Sequence, residues 1–259
     1  MLHDNFAGLK LRDIEFISGK YEKNGPPDGY TELKQNKLHI IEVLCHGKMI
    51  YFVLSKDKLP HESSEYSYII SNLGLDGSWS PDEYKDRNNF RLIFNKNKSA
   101  YYRDPIGFGT LRIIHGNENF DKILQKLGPD PIINDYTYDE FIGMITKKKN
   151  INKMIAEIFE DQSNLSGIGN YLRAEILYSS KVRPDRICKT LTEDELKKIH
   201  KYSVKKIRKS YNHSGTKRYN GHGEFKLNVY GRKIDPKGNE VLIMKIKKRS
   251  LHWVREIQI

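Results

Sequence analysis

The sequence predicts an α+β chain: an antiparallel β-sandwich or barrel, then a helical region, then a small basic β-hairpin. Three observations carry this. Short β-branched and aromatic runs, separated by turn residues and without strand–helix alternation, fill the first half. Capping-box spacings and apolar stripes at helical intervals begin after Leu127-Gly128-Pro129-Asp130-Pro131. The chain closes with VYGRKI-DPKG-NEVLIMKIKKRS, in which Asp235-Pro236-Lys237-Gly238 places Pro and Gly where a β-turn wants them.

Strands are expected within residues 11–21, 38–55, 66–71, 90–94 and 99–102, with turns at 25–29, 74–77 and 95–98. RLIF-NKNK-SAYY reads as a hairpin. In the helical region Thr137 and Glu140 have capping-box spacing ahead of Phe141, Met144 and Ile145. Ile151, Ile155, Ile158 and Phe159 form a second stripe, and Leu172, Ile176 and Leu177 mark one side of a helix over 171–180. Thr192 and Glu195 form another capping box, followed by a buried face at Leu196, Ile199, Ser203 and Ile207. That helix opens Glu193-Asp194-Glu195 and ends in lysines and arginine, the polarity that suits its dipole. A Gly-rich polar stretch, His213–Gly223, leads to the hairpin. The expected domains are 1–125, 126–220 and 221–259.

The chain has 259 residues, and Lys+Arg 45 against Asp+Glu 33 gives a net charge of +12. Nucleic acid, an anionic membrane and acidic proteins all suit that charge, and its spread along the chain favours nucleic acid. Cys45 and Cys188 make neither a disulfide framework nor a zinc site, which points to a reducing compartment. No apolar run approaches the roughly 18 residues of a membrane span. The opening MLHDNFAGLK lacks a signal-peptide h-region. An intracellular protein with no membrane partner is expected.

One short stretch raises a chemical question. Gly167-Ile168-Gly169-Asn170 interrupts two helical segments. Glycines let backbone N–H groups approach an anion, and a helix N-terminus supplies unpaired N–H groups. The same text suits a ligand-free helix–helix turn. Helix-hairpin-helix modules bind phosphate through such a G-x-G. In helix-two-turn-helix modules an asparagine follows the second glycine, and Asn170 favours that element.

LGPDPI at 127–132 and DQSNLSGIGNYLRAEILYSSKVRPDR at 161–186 resemble the formamidopyrimidine-DNA glycosylase / endonuclease VIII family of base-excision repair enzymes. The second stretch is most similar to the eukaryotic endonuclease VIII-like branch, and a weaker match runs from about Gly8 to the C-terminus. The resemblance implies a β-sandwich, a helix-two-turn-helix domain and a C-terminal β-hairpin finger, with DNA in the cleft between domains and the damaged base flipped out of the stack. It implies a glycosylase with AP-lyase activity on oxidised bases, pyrimidines first, acting as a monomer on damaged double- or single-stranded DNA without a cofactor. The competing reading is a catalytically impaired binder of damaged or structured DNA.

The resemblance also implies roles for particular residues. Lys48, in CHGK, matches a Gly-Lys strand motif that reaches a phosphate at the lesion and assists proton transfer. Gly167, Gly169 and Asn170 would clamp backbone phosphate. Arg249, in Arg249-Ser250, would grip phosphates bidentately. Leu75 and Phe108 match two of three side chains that fill the vacated stack. The third, an arginine, is missing: Ile106 and Gly107 stand before Phe108. Weak discrimination of the opposite base, and a preference for single strands or bubbles, would follow. Lys217 and Arg218 fall in the variable lesion loop. The family's finger usually holds zinc on four cysteines, but residues 229–258 contain none. A zincless finger is expected, packed by Trp253, Val241, Ile243 and Ile246.

The family's nucleophile is an N-terminal amine, usually of proline followed by glutamate, which forms a Schiff base with C1′ of the sugar. An α-amine has a pKa of about 7.7–8.0, so a useful fraction is unprotonated at neutral pH. Here the text after Met1 is Leu2, and NFAGLKLRDIEF resembles the end of the family's first helix and the next strand. Three expectations stay open: a Pro-Glu opening upstream of Met1, a DNA binder without catalysis, or substitution by the amine of Met1 or Lys48.

Overall fold

The computed structural model describes residues 2–58, 64–216 and 223–259. It divides into two units, Met1–Lys126 and Leu127–Ile259. Among the described residues no helix is long and apolar enough to cross a membrane.

The first unit contains α1 (Leu2–Phe6), β1 (Leu11–Phe16), α2 (Lys20–Asn24), α3 (Tyr30–Gln35), β2 (His39–His46), β3 (Met49–Ser55), β4 (Ser67–Asn72), β5 (Ser78–Ser80), β6 (Phe90–Phe94), β7 (Ser99–Arg103), β8 (Thr110–His115) and α4 (Asn117–Leu124). Two antiparallel four-stranded sheets form, in the orders β1-β6-β7-β5 and β2-β3-β4-β8. Their inner faces share one core: Ile14, Phe90, Leu92, Phe94 and Tyr102 from the first sheet meet Ile40, Phe52, Leu54, Ile69 and Leu111 from the second. Trp79 of β5 packs on Phe52 of β3 with ring centroids 5.3 Å apart. Two separate sheets face to face make a sandwich, which settles the choice against a barrel.

Several expected strands are cut shorter. The run 11–21 ends as a strand at Phe16, because Gly19 takes φ 84 and starts α2. Tyr21, read as part of that strand, instead packs edge-on against Phe90 and donates its hydroxyl to the Leu111 carbonyl at 2.8 Å. The run 38–55 is two strands, folded back at Gly47-Lys48 with Gly47 at φ 57. The RLIF-NKNK-SAYY hairpin forms as β6–β7. Strands β5 and β8 and helices α2, α3 and α4 escaped the sequence reading.

The second unit contains α5 (Tyr138–Ile145), α6 (Ile155–Ile158), α7 (Asn170–Ser180), a 3-10 turn (Cys188–Thr190), α8 (Glu193–Asn212), β9 (Leu242–Ile246) and β10 (Arg249–Trp253). Both expected capping boxes form, at Thr137/Glu140 and Thr192/Glu195. Ile155, Ile158 and Phe159 have no exposed surface, whereas Ile151 lies in a turn before α6. One core joins helices and hairpin: Phe141, Leu172, Ile176 and Ile199 pack in the same cluster as Ile246, Leu251 and Val254.

The hairpin itself needs correcting in two ways. Asp235-Pro236-Lys237-Gly238 does turn, with the Gly238 amide donating to the Asp235 carbonyl at 3.2 Å, but only an isolated bridge, Ile234 to Glu240, flanks it. The two-stranded ladder is β9–β10, and it turns at Lys247-Lys248 with Lys247 at φ 52. Ile243, expected inside, is 64 % exposed because it falls on the outer face of β9. Leu251 and Val254 occupy the interior instead.

Candidate functional site

GIGN is built by local hydrogen bonding. Gly167 has φ 90, a conformation that side-chain-bearing residues avoid. Its amide donates to Gln162 Oε1 at 3.0 Å, and Gln162 Nε2 donates to the Ile168 carbonyl at 2.9 Å. One side-chain amide thus closes the turn. The Gly167 amide, expected to face an anion, is engaged inside the protein. Gly169, by contrast, is extended (φ −110, ψ −178) and is the N-cap of α7 with no side-chain cap. No acidic residue stands in the first turn of α7. The cap residue and first turn of this helix therefore supply neither a side-chain capping oxygen nor a carboxylate of their own, a situation that favours an anion from elsewhere.

Asn170 and Arg249, far apart in sequence, come together. Asn170 Nδ2 donates to the Ser250 carbonyl at 2.8 Å. Arg249 Nε pairs with Glu160 Oε1 at 3.0 Å, and the other oxygen of Glu160 takes Arg173 at 3.0 Å. Arg173, 1 % exposed, also donates to Asn170 Oδ1 at 2.6 Å and to the Ala156 carbonyl at 3.1 Å. Burial pulls the Arg173 guanidinium below its ordinary value, the Glu160 carboxylate opposes this, and the Arg249 charge adds to it. Beside this group Lys247 pairs with Glu157 at 3.2 Å. The sequence reading missed Glu160 and Arg173. Glu160 reads as a surface acid at a helix end. An arginine within NYLRAEIL, on a helix with apolar neighbours, was the available signal for Arg173.

In the first unit Lys48 is exposed at the β2–β3 turn. Leu75 and Phe108 are 56 % and 64 % exposed on two loops that touch. At Gly74, φ 68, a Cβ would lie 2.7 Å from the Gly109 nitrogen and 2.8 Å from the Phe108 carbonyl carbon, so only glycine permits this approach. Buried Asp104 holds the second loop by accepting from the Gly107 amide at 3.0 Å and the Gly109 amide at 2.6 Å. Ile106, 49 % exposed, adds a third apolar tip. Lys217 and Arg218 lie outside the described residues.

The zinc usual in such fingers would find no thiolate in this hairpin. No cysteine lies in the hairpin, Cys188 is buried in the 3-10 turn and Cys45 is on β2. Among the described residues no three His, Cys, Asp or Glu side chains gather to hold a metal. The described residues do not fit the ion.

A two-glycine turn leading into α7, with Asn170 as the first residue of that helix, fits the helix-two-turn-helix class of DNA-binding proteins. Family models agree: the formamidopyrimidine-DNA glycosylase H2TH domain matches residues 127–219, and the formamidopyrimidine-DNA glycosylase C-terminal domain matches 221–259. The chain belongs to the formamidopyrimidine-DNA glycosylase family. A formamidopyrimidine-DNA glycosylase of Ligilactobacillus salivarius is 25 % identical over 96 % of this chain and 91 % of its own length. One from Prochlorococcus marinus is 32 % identical, but the match covers 65 % of this chain and 61 % of that protein. Among solved structures, a complex of Lactococcus lactis Fpg with abasic-site DNA superposes with TM-score 0.81 at 21 % identity, covering 99 % of this chain and 95 % of that one. A MutM complex with carbocyclic 8-oxo-G DNA gives 0.83 at 22 % identity, with coverage of 99 % and 95 %. At these identities the structural likeness speaks to the fold.

Proposed function

We propose that this chain is a base-excision repair glycosylase that binds damaged DNA, excises oxidised bases, pyrimidines among them, and cuts the strand through a Schiff-base intermediate. The convergence of Asn170 and Arg249 beside the uncapped start of α7 carries this reading. Those groups offer hydrogen-bond donors and a planar cation to consecutive backbone oxygens, contacts that position DNA without reading its sequence. Relatives across most of the chain bear the name of a DNA glycosylase, and solved neighbours hold abasic, oxidised-pyrimidine or Fapy-dG DNA.

In this reading the lesion nucleotide is extruded at a cost of a few kcal/mol, least where pairing is already weakened. Leu75, Ile106 and Phe108 offer apolar surface to the vacated stack. None of them can hydrogen-bond an orphaned base, so the opposite base is poorly discriminated and single strands or bubbles are accepted. Lys48 serves a phosphate or a proton transfer at the lesion, and Lys217 and Arg218 help to receive the damaged base. The enzyme acts as a monomer without cofactor.

Borohydride trapping tests the reading. The protein is incubated with abasic-site duplex and reductant, and the adduct is mapped by mass spectrometry. A covalent adduct on an amine supports Schiff-base chemistry and identifies the nucleophile. Tight damage-specific binding without any adduct would reduce the chain to a DNA binder.

A further inference from the structure

We propose that Arg173 and Glu160 are a positioning pair that aims both phosphate-facing groups, the outer edge of the Asn170 amide and the terminal fork of Arg249. The proposal rests on the reading that Asn170 and Arg249 take DNA phosphate.

Arginine has donors and no acceptor, so the atom of Asn170 facing Arg173 must be its oxygen. The 2.6 Å bond from Arg173 to Oδ1 therefore fixes which way the amide points. Its NH2 group is turned outward. One hydrogen goes to the Ser250 carbonyl at 2.8 Å, and the other is left to donate. A freely rotating asparagine would present oxygen to a phosphate as readily as nitrogen, and the oxygen would repel it.

Glu160 performs the same service for Arg249. It engages Nε at 3.0 Å, one edge of the guanidinium. The terminal nitrogens carry no hydrogen bond among the described residues, and they form the fork that suits two phosphate oxygens. The carboxylate is itself anchored by Arg173, which is 1 % exposed and cannot follow a moving partner. The Nε of Arg173 has no hydrogen-bond partner although it is buried. That donor is sacrificed while the terminal nitrogens of the same side chain serve Glu160, Ala156 and Asn170. A buried N–H left open is uncommon and asks for a reason beyond core packing.

The sign of one substitution separates this role from simple charge. Glu160 is an anion beside a phosphate site, so Coulomb's law alone predicts that Glu160→Gln tightens DNA binding. Positioning predicts the reverse. We expect Glu160→Gln to bind abasic-site duplex about tenfold more weakly despite the added net positive charge, with a salt slope shallower by about one as Arg249 leaves the contact set. Glu160→Asp, which keeps the charge but cannot span both arginines, should lose affinity in the same direction. In an Arg249→Ala background Glu160→Gln should cost no more than about twofold further, because coupled residues are not additive. Urea midpoints of each variant establish that the fold is kept. Unchanged or tighter binding by Glu160→Gln, or losses that multiply with Arg249→Ala, would overturn the proposal. If Arg249→Ala alone leaves affinity unchanged, the phosphate-site reading itself falls and takes this proposal with it. If Arg249→Ala weakens binding and Glu160→Gln does not, the site stands and only the aiming pair fails.

Discussion

The side chain of Asn170 donates to the backbone carbonyl of Ser250 across 2.8 Å, which ties the first residue of α7 to the second residue of β10. The bond joins the helix start directly to the hairpin. Asn170→Ala removes the outward donor and the tie together. We expect about a tenfold loss of affinity for abasic-site duplex, the scale of a hydrogen bond to a charged group. Asn170→Asp should lose more, because its carboxylate would meet the phosphate. Fluorescence anisotropy at two salt concentrations measures both, and equal affinity of wild type and Asn170→Asp would remove this residue from the interface.

Phe108 stands 64 % exposed on a loop clamped by Asp104, so its ring contributes little to folding. Phe108→Ala should leave the urea midpoint within experimental error, since exposed substitutions usually stay within about 0.5 kcal/mol. Affinity for lesion-bearing duplex should fall about tenfold, in line with the roughly 1–3 kcal/mol of an aromatic–base stack. Loss of stability with unchanged affinity would mark the ring as structural.

These two sites differ in how far the sequence exposed them. The glycines and asparagine of GIGN and both capping boxes announce themselves by residue type at fixed spacing. The β6–β7 hairpin is visible because apolar alternation brackets four turn residues. Arg173 and Glu160 are not visible in this way. Their roles depend on α7, the end of α6 and β10 meeting in space, and no local pattern encodes that. The ladder at Lys247-Lys248 was missed for a related reason: a positive-φ lysine replaces the glycine that usually marks such a turn, while DPKG carries the stronger local signal and the weaker ladder. Ile243 looked like core because it is apolar, but period-two alternation places it outward between Leu242 and Met244.

Glu175, without exposed surface, accepts from the amides of Val229 and Tyr230 and from both the backbone and side chain of Asn228. Lys206 lies 3.8 Å away. This one carboxylate organises the backbone that leads into the hairpin. Glu175→Ala strands several buried donors and should cost about 3–5 kcal/mol, the range for breaking a buried charged network. Glu175→Gln keeps one acceptor and should cost less, roughly 1–3 kcal/mol. Urea unfolding followed by tryptophan fluorescence reports on it, since Trp253 sits on β10. A change below about 0.5 kcal/mol for the alanine variant would contradict this account.

Tyr178 donates to Asp235 at 2.9 Å, and burial together with that carboxylate pushes its hydroxyl up to about 12 from the ordinary 10. The folded form keeps its proton where the unfolded chain has lost it. Stability from this group is therefore full below pH 10 and declines as pH rises toward 12. Tyr178→Phe should be less stable than wild type at pH 8 and should fall less steeply across the alkaline window. Urea midpoints at pH 8 and pH 11 supply the comparison, and parallel declines would show that other tyrosines govern it.

The hairpin should stand without metal, because its apolar residues pack into the helical core. Leu251 has no exposed surface and packs in the helical core with Ile246 and Val254. Leu251→Ala should cost about 2–5 kcal/mol, as cavity-forming truncations do. Arg183 lies over the Trp253 ring at 5.2 Å, on the face of the strand that also carries Leu251. Arg183→Ala should cost only about 0.5–1 kcal/mol, since the side chain is 45 % exposed. Treatment with a strong zinc chelator should leave the melting temperature and DNA affinity of the wild type unchanged. Stoichiometric zinc by elemental analysis, or a chelator-induced fall in melting temperature comparable to that of Leu251→Ala, would mean that a ligand set outside the hairpin carries the metal and that packing is not what holds β9 to β10.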